Sequence, residues 1–555
     1  MRAQISLNGE WRFQPEGASA WSTLRIPEAW PRETRATAAR YERQIAVPAE
    51  CAGRRITLSA DCVNSYALVQ IDGVKAGEMR YPAGEVDLTA FCRPGQTHVL
   101  SMDVIAMPLQ AVLLSYSDTA SARTVTGTVA RRGIVGDVLL NVMPLGPRIT
   151  GVKVETSVRK WEISVEAAVE GAAQYRLIAR IYDGDRLVKE FPAGRVPWRP
   201  DKLWDTHTAQ NQYRLMVTLL DSAGKILDAA LPVRFGFREF WIDGRDYYLN
   251  GSRIYLSAAP LDNAQASVAS ASYDATRATL RHFKSFGVNF VYTHNYGCEP
   301  GTHYSFEEVL RAADDEGMLL AFSQPHFGQY DWTAADAGQA NGYARHAAFY
   351  VRVAQHHPSV VCYSTSHNGA GYSEDMNPDL LDGVHEPRDQ WSQRGAQRAR
   401  RAEALIRGLD GSRIVYHHSG GNLGAMHTVN FYGNWIPPQE MDDWFEHWAT
   451  AGVKPLFTCE YSVPFLWDWG MYRGWYQGKR EFGGAAVPWE FCVAEWDAQV
   501  LGDRAYRISE PEKVNLRWEA DQFRKGRTGW MRWDYPHSLG DQVFEDRMRV
   551  MAAQV

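Results

Sequence analysis

Lys454-Pro-Leu-Phe-Thr-Cys-Glu-Tyr461 is the stretch on which the reading of this chain turns. Its apolar run, 455–459, has the length and composition of a buried strand. The run ends on a carboxylate, Glu460, followed by Tyr461 and a Ser462-Val463-Pro464 loop. A Glu in that place has no apolar face to cover and no helix to cap. If the surrounding sequence builds a (β/α)8 barrel, the carboxyl end of a strand is the catalytic face. The alternative is a structural carboxylate paired with a neighbouring Arg or Lys.

Around this stretch, strand-like runs alternate with helical patterns. Strands are expected over 254–258, 288–292, 318–322, 360–364, 413–417, 429–432, 456–460 and 529–533. Helices are expected over 273–286, with Leu280, Phe283 and Phe286 on one face, and over 306–316, 344–355, 390–409, 440–448 and 511–524. A last helix falls over 541–554. Eight such units in about 300 residues imply a TIM barrel. It would occupy 239–555.

The residues before it read as β structure. Over 1–146, runs such as Ala67-Leu-Val-Gln-Ile71 and Val99-Leu-Ser-Met-Asp-Val-Ile105 are punctuated by turn signals, and Ile71-Asp-Gly-Val74 reads as a hairpin. Two packed sheets, a jelly-roll β-sandwich, are expected. Over 147–238, alternating runs such as Tyr213-Arg-Leu-Met-Val-Thr-Leu-Leu220 are spaced like a smaller immunoglobulin-like β-sandwich. The fold class is therefore multidomain: two sandwiches, then a TIM barrel.

Composition narrows the function. The 555 residues carry a net charge of −6, leaving no basic excess to neutralise phosphates, so neither nucleic acid nor an anionic membrane is an expected partner. No apolar run reaches 18 residues, and the opening segment has no apolar signal region. Compartment stays open: cytoplasmic as the chain stands, periplasmic or secreted if a leader was removed. The seven Cys form no CxxC pair and no metal-ligand spacing, so no metal or cofactor is called for. Cys362 and Cys459 fall inside apolar strands and read as small hydrophobes. The chain holds 20 Trp, 26 Tyr and 21 Phe, more than a barrel wall needs. Polar-flanked rings from Trp435 to Tyr476, Trp448 among them, suit a site that stacks on sugar faces, or else pack a long loop.

The series of motifs resembles the family 2 glycoside hydrolases (β-galactosidases, β-glucuronidases and β-mannosidases) over nearly the whole chain. Leu7-Asn-Gly-Glu-Trp-Arg-Phe13 looks like that family's opening, Arg132-Gly-Ile-Val-Gly-Asp-Val138 like the end of its first domain, and Phe235-Gly-Phe-Arg238 like its entry into the barrel. Phe283-Lys-Ser-Phe-Gly-Val-Asn-Phe-Val-Tyr-Thr-His294 is similar to its second strand, with Tyr292 where the family has Arg. His357-Pro-Ser-Val-Val-Cys-Tyr-Ser364 is similar to the run into the fourth, Asn430-Phe-Tyr-Gly-Asn-Trp435 to the sixth, 454–460 to the seventh and Trp533-Asp-Tyr535 to the eighth.

The resemblance implies a glycoside hydrolase with Glu460 as nucleophile and Tyr432 as its hydrogen-bond partner. It implies that His294, Asn295, Asn430, Trp435 and Trp533 line the sugar site. It also exposes a departure. Where the family's fourth strand ends in Asn-Glu, this chain reads Ser364-Thr-Ser-His-Asn368, so Asn368 stands in the place of the acid/base and His367 in that of its Asn neighbour. An amide cannot donate a proton as an acid. Glu374 and Asp375, after a Gly-rich segment, and Glu299 are candidate replacements, although Asp and Glu there also suit turn capping. His367 is another, since an imidazole titrates in the useful range. Gln324, His326, His417 and His418 also fall at strand ends and suit hydrogen bonding to sugar hydroxyls; no cluster of Arg or Lys there argues for a uronic acid.

The expected partner is thus an oligo- or polysaccharide, and self-association into a homo-oligomer stays open. A different class of function also fits the lost carboxyl group: a carbohydrate-binding protein on a hydrolase scaffold. A third is an enzyme whose chemistry, such as β-elimination or release of a good leaving group, does without the acid.

Overall fold

The computed structural model describes residues 2–293, 301–304, 306–367, 369, 390–431, 445–461, 472–476 and 479–482. The amino-terminal part packs two antiparallel sheets face to face. One runs Ala3–Ser6, Val138–Pro144, Arg54–Asp61, Ala83–Asp87. The other runs Ser22–Ile26, Gly9–Pro15, Ala38–Ala46, Thr97–Ile105, Tyr66–Ile71, Val74–Arg80. Strict alternation in Tyr66–Ile71 buries Ala67, Val69 and Ile71, which meet Trp11, Tyr41, Leu58 and Leu140 in one core. The hairpin signal is realised: Ile71 pairs with Val74, and Asp72 and Gly73 both take positive φ (50° and 80°).

A second pair of sheets comes next, Arg148–Ser157, Glu162–Glu170 and Gly194–Pro197 against five strands centred on Tyr213–Leu220. Val154, Ile163, Ile181, Leu215 and Val217 fill the space between them.

Beyond it the sheet turns parallel. Strands β1 (Ala258–Pro260), β2 (Phe290–Tyr292), β3 (Leu319–Ser323), β4 (Val360–Ser364) and β5 (Ile414–Tyr416) pair in sequence order. Strands β6 (His427–Phe431) and β7 (Leu456–Tyr461) form a separate parallel pair. Helices α1 (Tyr273–Ser285), α2 (Glu307–Glu316), α3 (Tyr343–Ala354) and α4 (Gln390–Leu409) cross between consecutive strands of the five.

Side-chain parity explains how the sheet is covered. Val291, Leu320, Phe322, Tyr363 and Val415 pack on the helices with Leu280, Leu310, Val351 and Ile406. Phe290, Tyr292, Leu319, Ala321, Cys362 and Tyr416 face the other way and share a cluster with Phe457 and Cys459 of β7. Rings cross that interior: Phe290 and Tyr416 lie 5.8 and 5.7 Å from Phe457. Burial on both faces is why β3 and β4 are unbroken buried runs.

One expectation is corrected. The run from Ile254 is not the first parallel strand; Ser252–Ile254 closes an antiparallel three-stranded sheet, and the parallel ladder starts at Ala258. Tyr255 between them is largely exposed, so the apolar run spans two elements rather than one. Of the helix expected over 440–448, residues 446–448 fall in the helix Glu446–Ala451, and 440–444 lie outside the described residues. The strand expected over 529–533 and the helices over 511–524 and 541–554 lie outside the described residues.

Candidate functional site

Buried charges hold the strands that lead to the site. Asp314 at the end of α2 accepts from Ser359 N (3.1 Å) and Ser359 Oγ (2.7 Å) and pairs with His357 Nδ1 at 2.7 Å. The His357-Pro-Ser stretch is thereby a latch between α2 and the start of β4. Burial opposes the imidazolium, but Asp314 and Glu307, at 3.5 Å, outweigh it and push His357 up to about 10. Arg238, fully enclosed, donates through Nε to Pro358 O (2.9 Å) and through Nη2 to Val360 O (2.5 Å), tying the segment after the second sandwich to β4.

At the opposite, carboxyl ends of β2 to β5 the residues turn polar while staying buried. Thr293, Gln324, His326, Thr365, Ser366, His417 and His418 are all at most 6% exposed. An apolar core would end in leucines here. Buried polar groups at the ends of parallel strands are instead the mark of a site that binds polar ligands.

His417 faces outward and His418 inward. His417 Nε2 lies 2.8 Å from Glu403 Oε2 of α4, and its Nδ1 2.7 Å from Thr365 Oγ1. Burial raises the Glu403 pKa, but the His417 bond and Arg407 more than offset it and hold the carboxyl below its ordinary value. An ionised Glu403 accepts from Nε2–H, so in the neutral imidazole Nδ1 accepts from the Thr365 hydroxyl. Thr428 Oγ1 adds a bond to His417 O (2.6 Å). The end of β5 is thus locked to β4, β6 and α4.

That lock sets His418 against His367, three residues past the end of β4. Their rings lie 4.3 Å apart, 31° from parallel. Tyr292 of β2 comes within 6.3 Å of the His418 ring. His326 Nδ1 accepts from Gly328 N (3.0 Å), and burial, against a bond with the His367 backbone, brings it down to about 4, so it is neutral at ordinary pH. Gln324, Ser366 and His326 therefore offer uncharged donors and acceptors near the His367–His418 pair. Among the described residues no group of three or more His, Cys, Asp or Glu is arranged to hold a metal.

Strand β7 carries the opening motif. Its ladder with β6 slips by one residue: Thr458 pairs with Val429, but Glu460 pairs with Asn430. Cys459 is the extra residue of a β-bulge, and bulges favour functional sites because they re-aim the neighbouring side chain. Glu460 and Asn430 thus stand opposite each other at the carboxyl ends of neighbouring strands. Of the other residues expected at the site, His294, Asn295, Asn368, Glu374, Tyr432, Trp435 and Trp533 lie outside the described residues, as do Glu299 and Asp375.

Trp448 is placed away from this edge. Its Nε1 donates to Lys454 O (2.9 Å), ahead of β7, and Arg245 lies over its ring at 5.6 Å. Its polar flanks reflect packing at the amino-terminal end, a distinction periodicity cannot make. The roles of Thr365, Glu403 and His417 as a lock were also not legible, because Glu403 reads as one more polar position on an exposed helix.

A cleft of about 540 Å³ opens at the amino-terminal ends of β4 and β5, lined by Arg159, Arg238, Glu239, His356 and Arg413. Its charges largely satisfy one another, Arg159 with Glu239 at 2.7 Å and Arg413 with Asp410 at 2.8 Å. It lies at the opposite end of the strands from the buried polar cluster.

No family model matches the chain, and no curated protein is significantly similar to it in sequence. Among solved structures it is similar to a β-D-glucuronidase from Dictyoglomus thermophilum, at 16% identity over 83% of this chain and 82% of that one, with a TM-score of 0.61. It is likewise similar to the β-glucuronidase from Ruminococcus gnavus in complex with D-glucaro 1,5-lactone, at 15% identity over 92% and 90% of the two chains, with a TM-score of 0.64. Identity this low speaks to architecture and not to chemistry. The chain shares the multidomain, mostly β-sheet fold of these β-glucuronidases.

Proposed function

We propose that the chain is a β-glycoside hydrolase. Its domains are a sugar-binding-like sandwich over 1–146, an immunoglobulin-like sandwich over 147–238 and a catalytic (β/α)8 barrel over 239–555. Glu460 is the nucleophile, flanked by Asn430 and Tyr432, and the sugar site is completed by His294, Asn295, Trp435 and Trp533. The observation that carries the reading is the register of β7, with Glu460 opposite Asn430 at the carboxyl ends of neighbouring parallel strands, beside the buried polar cluster. The likeness to two β-glucuronidases over more than four-fifths of each chain supports the scaffold.

Asn368 in the acid position makes the second half of the chemistry non-standard. Retaining hydrolysis uses two carboxyl groups about 5–5.5 Å apart, and inversion about 6.5–9.5 Å. His367, next to Asn368 in sequence and with its ring 4.3 Å from that of His418, is the replacement we favour. Glu374 is the carboxyl alternative. The same departure motivates the second reading, a sugar-binding protein that has lost turnover.

The test compares wild type and Glu460→Gln on aryl β-D-glucuronides, β-D-galactosides and β-D-mannosides, and on a glycan panel. We expect turnover on at least one class and a loss of at least about a thousandfold in the variant. Equal turnover in the two proteins sinks the assignment of Glu460. Glycan binding with no turnover in wild type establishes the second reading.

A further inference from the structure

We infer that Tyr292 is the positioning residue for Glu460, acting through the carbonyl of Cys459 from the opposite side of the sheet interior. The inference rests on the reading of Glu460 as nucleophile. Cys459 is the bulged residue of β7 and has no opposite number in the ladder with β6. At such a register shift the ladder alone does not fix the strand, and a further bond to the main chain there adds a constraint.

Tyr292 supplies it. Its ring is 6% exposed, rooted at the end of β2, and its Oη donates to Cys459 O at 3.2 Å. On the other side, Ser419 N, just after β5, donates to Cys459 Sγ at 3.4 Å. The residue immediately before Glu460 is therefore gripped from two strands, one contact on its carbonyl and one on its sulfur. The peptide group that joins Cys459 to Glu460 is the one Tyr292 holds, so the phenol fixes the plane from which the Glu460 backbone departs. A misplacement of about 1 Å in a reacting group costs up to about a hundredfold in rate. Among the described residues no other side chain is bonded to that carbonyl.

The test is Tyr292→Phe, which removes one hydroxyl and keeps the ring in the core. Steady-state kinetics use the aryl β-glycoside that wild type turns over best, with an activated leaving group. Tyr416→Phe, which deletes a hydroxyl from a neighbouring ring in the same cluster, is the control. We expect kcat of Tyr292→Phe to fall about tenfold with KM within twofold, no change in circular dichroism, and kcat of Tyr416→Phe within twofold of wild type. Unchanged kcat in Tyr292→Phe overturns the inference. So does a rise in KM alone, which would make the phenol a substrate contact, or a fall in kcat matched by a loss of folded protein. Glu460→Gln in the same assay separates the two levels. If it abolishes turnover while Tyr292→Phe is normal, only the positioning role fails. If it leaves turnover intact, or if wild type turns over nothing, the reading beneath fails and takes the inference with it.

Discussion

At the scale of single residues, the chain holds buried charges where it must join elements. His357 is the clearest. Its pKa rises from an ordinary 6.5 to about 10 because Asp314 and Glu307 favour the cation more than burial disfavours it. A raised folded-state pKa contributes stability that is present in full below pH 6.5 and is lost as pH climbs through about 10. We expect urea unfolding to show this decline in wild type. His357→Gln should lose about 3 kcal/mol at pH 6.5, because buried Asp314 loses the cation that it and Glu307 share, and should lack that part of the decline between pH 6.5 and 10. Identical pH slopes in the two proteins would assign the effect to another group. His346 uses the same logic without charge: burial brings it down to about 3, so it stays neutral and bonds the phenols of Tyr116 and Tyr330.

At the scale of elements, crossovers depend on how helices end. Helix α2 closes on Gly317, with φ at +64° and its N–H bonded to Ala313 O. A Cβ there would lie 2.5 Å from the main-chain oxygen of Thr206, so the second sandwich sits directly on this cap. Gly287, after α1, has φ at +86° and open space around it. Gly287→Ala should therefore cost only the left-handed backbone term, about 1 kcal/mol, and Gly317→Ala clearly more, since the sandwich must also move. Thermal melts of the two variants side by side decide this; equal shifts would mean that the Thr206 contact yields freely. The register shift at Cys459 is the other element-scale device, where Tyr292 of β2 and Ser419 after β5 reach its carbonyl and sulfur.

At the scale of the whole molecule, the first sandwich is bolted to the parallel unit by polar contacts at a buried interface. Tyr81 Oη meets Tyr350 Oη at 2.7 Å, and Tyr116 Oη meets His346 Nε2 at 2.7 Å, with Tyr330 Oη on Nδ1 at 2.6 Å. Asp336, in the segment after β3, accepts from Ser121 Oγ at 2.6 Å. That segment leaves the carboxyl edge of the sheet, so the first sandwich helps hold the rim of the candidate site. Tyr116→Phe leaves one nitrogen of a buried imidazole without its partner and should cost about 1–3 kcal/mol. A chain that unfolds in one transition should show that loss by fluorescence and by circular dichroism alike. Separate transitions, with only the first shifted, would mean that the sandwich unfolds alone. Among the described residues no helix is long and apolar enough to cross a membrane.

Local physics was legible in the residues themselves. Alternation in Tyr66–Ile71, the Asp72-Gly73 turn, the unbroken apolar runs of β3 and β4, and the amphipathic faces of α1 and α2 each report an interaction between near neighbours in the chain. So does the placement of Glu460 at a strand end. What sequence could not hold is any relation between distant residues. The Ile254 run was divided between two sheets by pairing partners, and Trp448 went to the far end of the strands. The Glu403–His417–Thr365 lock joins residues 14 and 52 positions apart. The bond from Tyr292 to Cys459 spans 167 positions. A hydroxyl or a carbonyl looks the same in sequence whether it meets water or a buried partner. Only the packing of strands onto one another decides which of them hold a site in place.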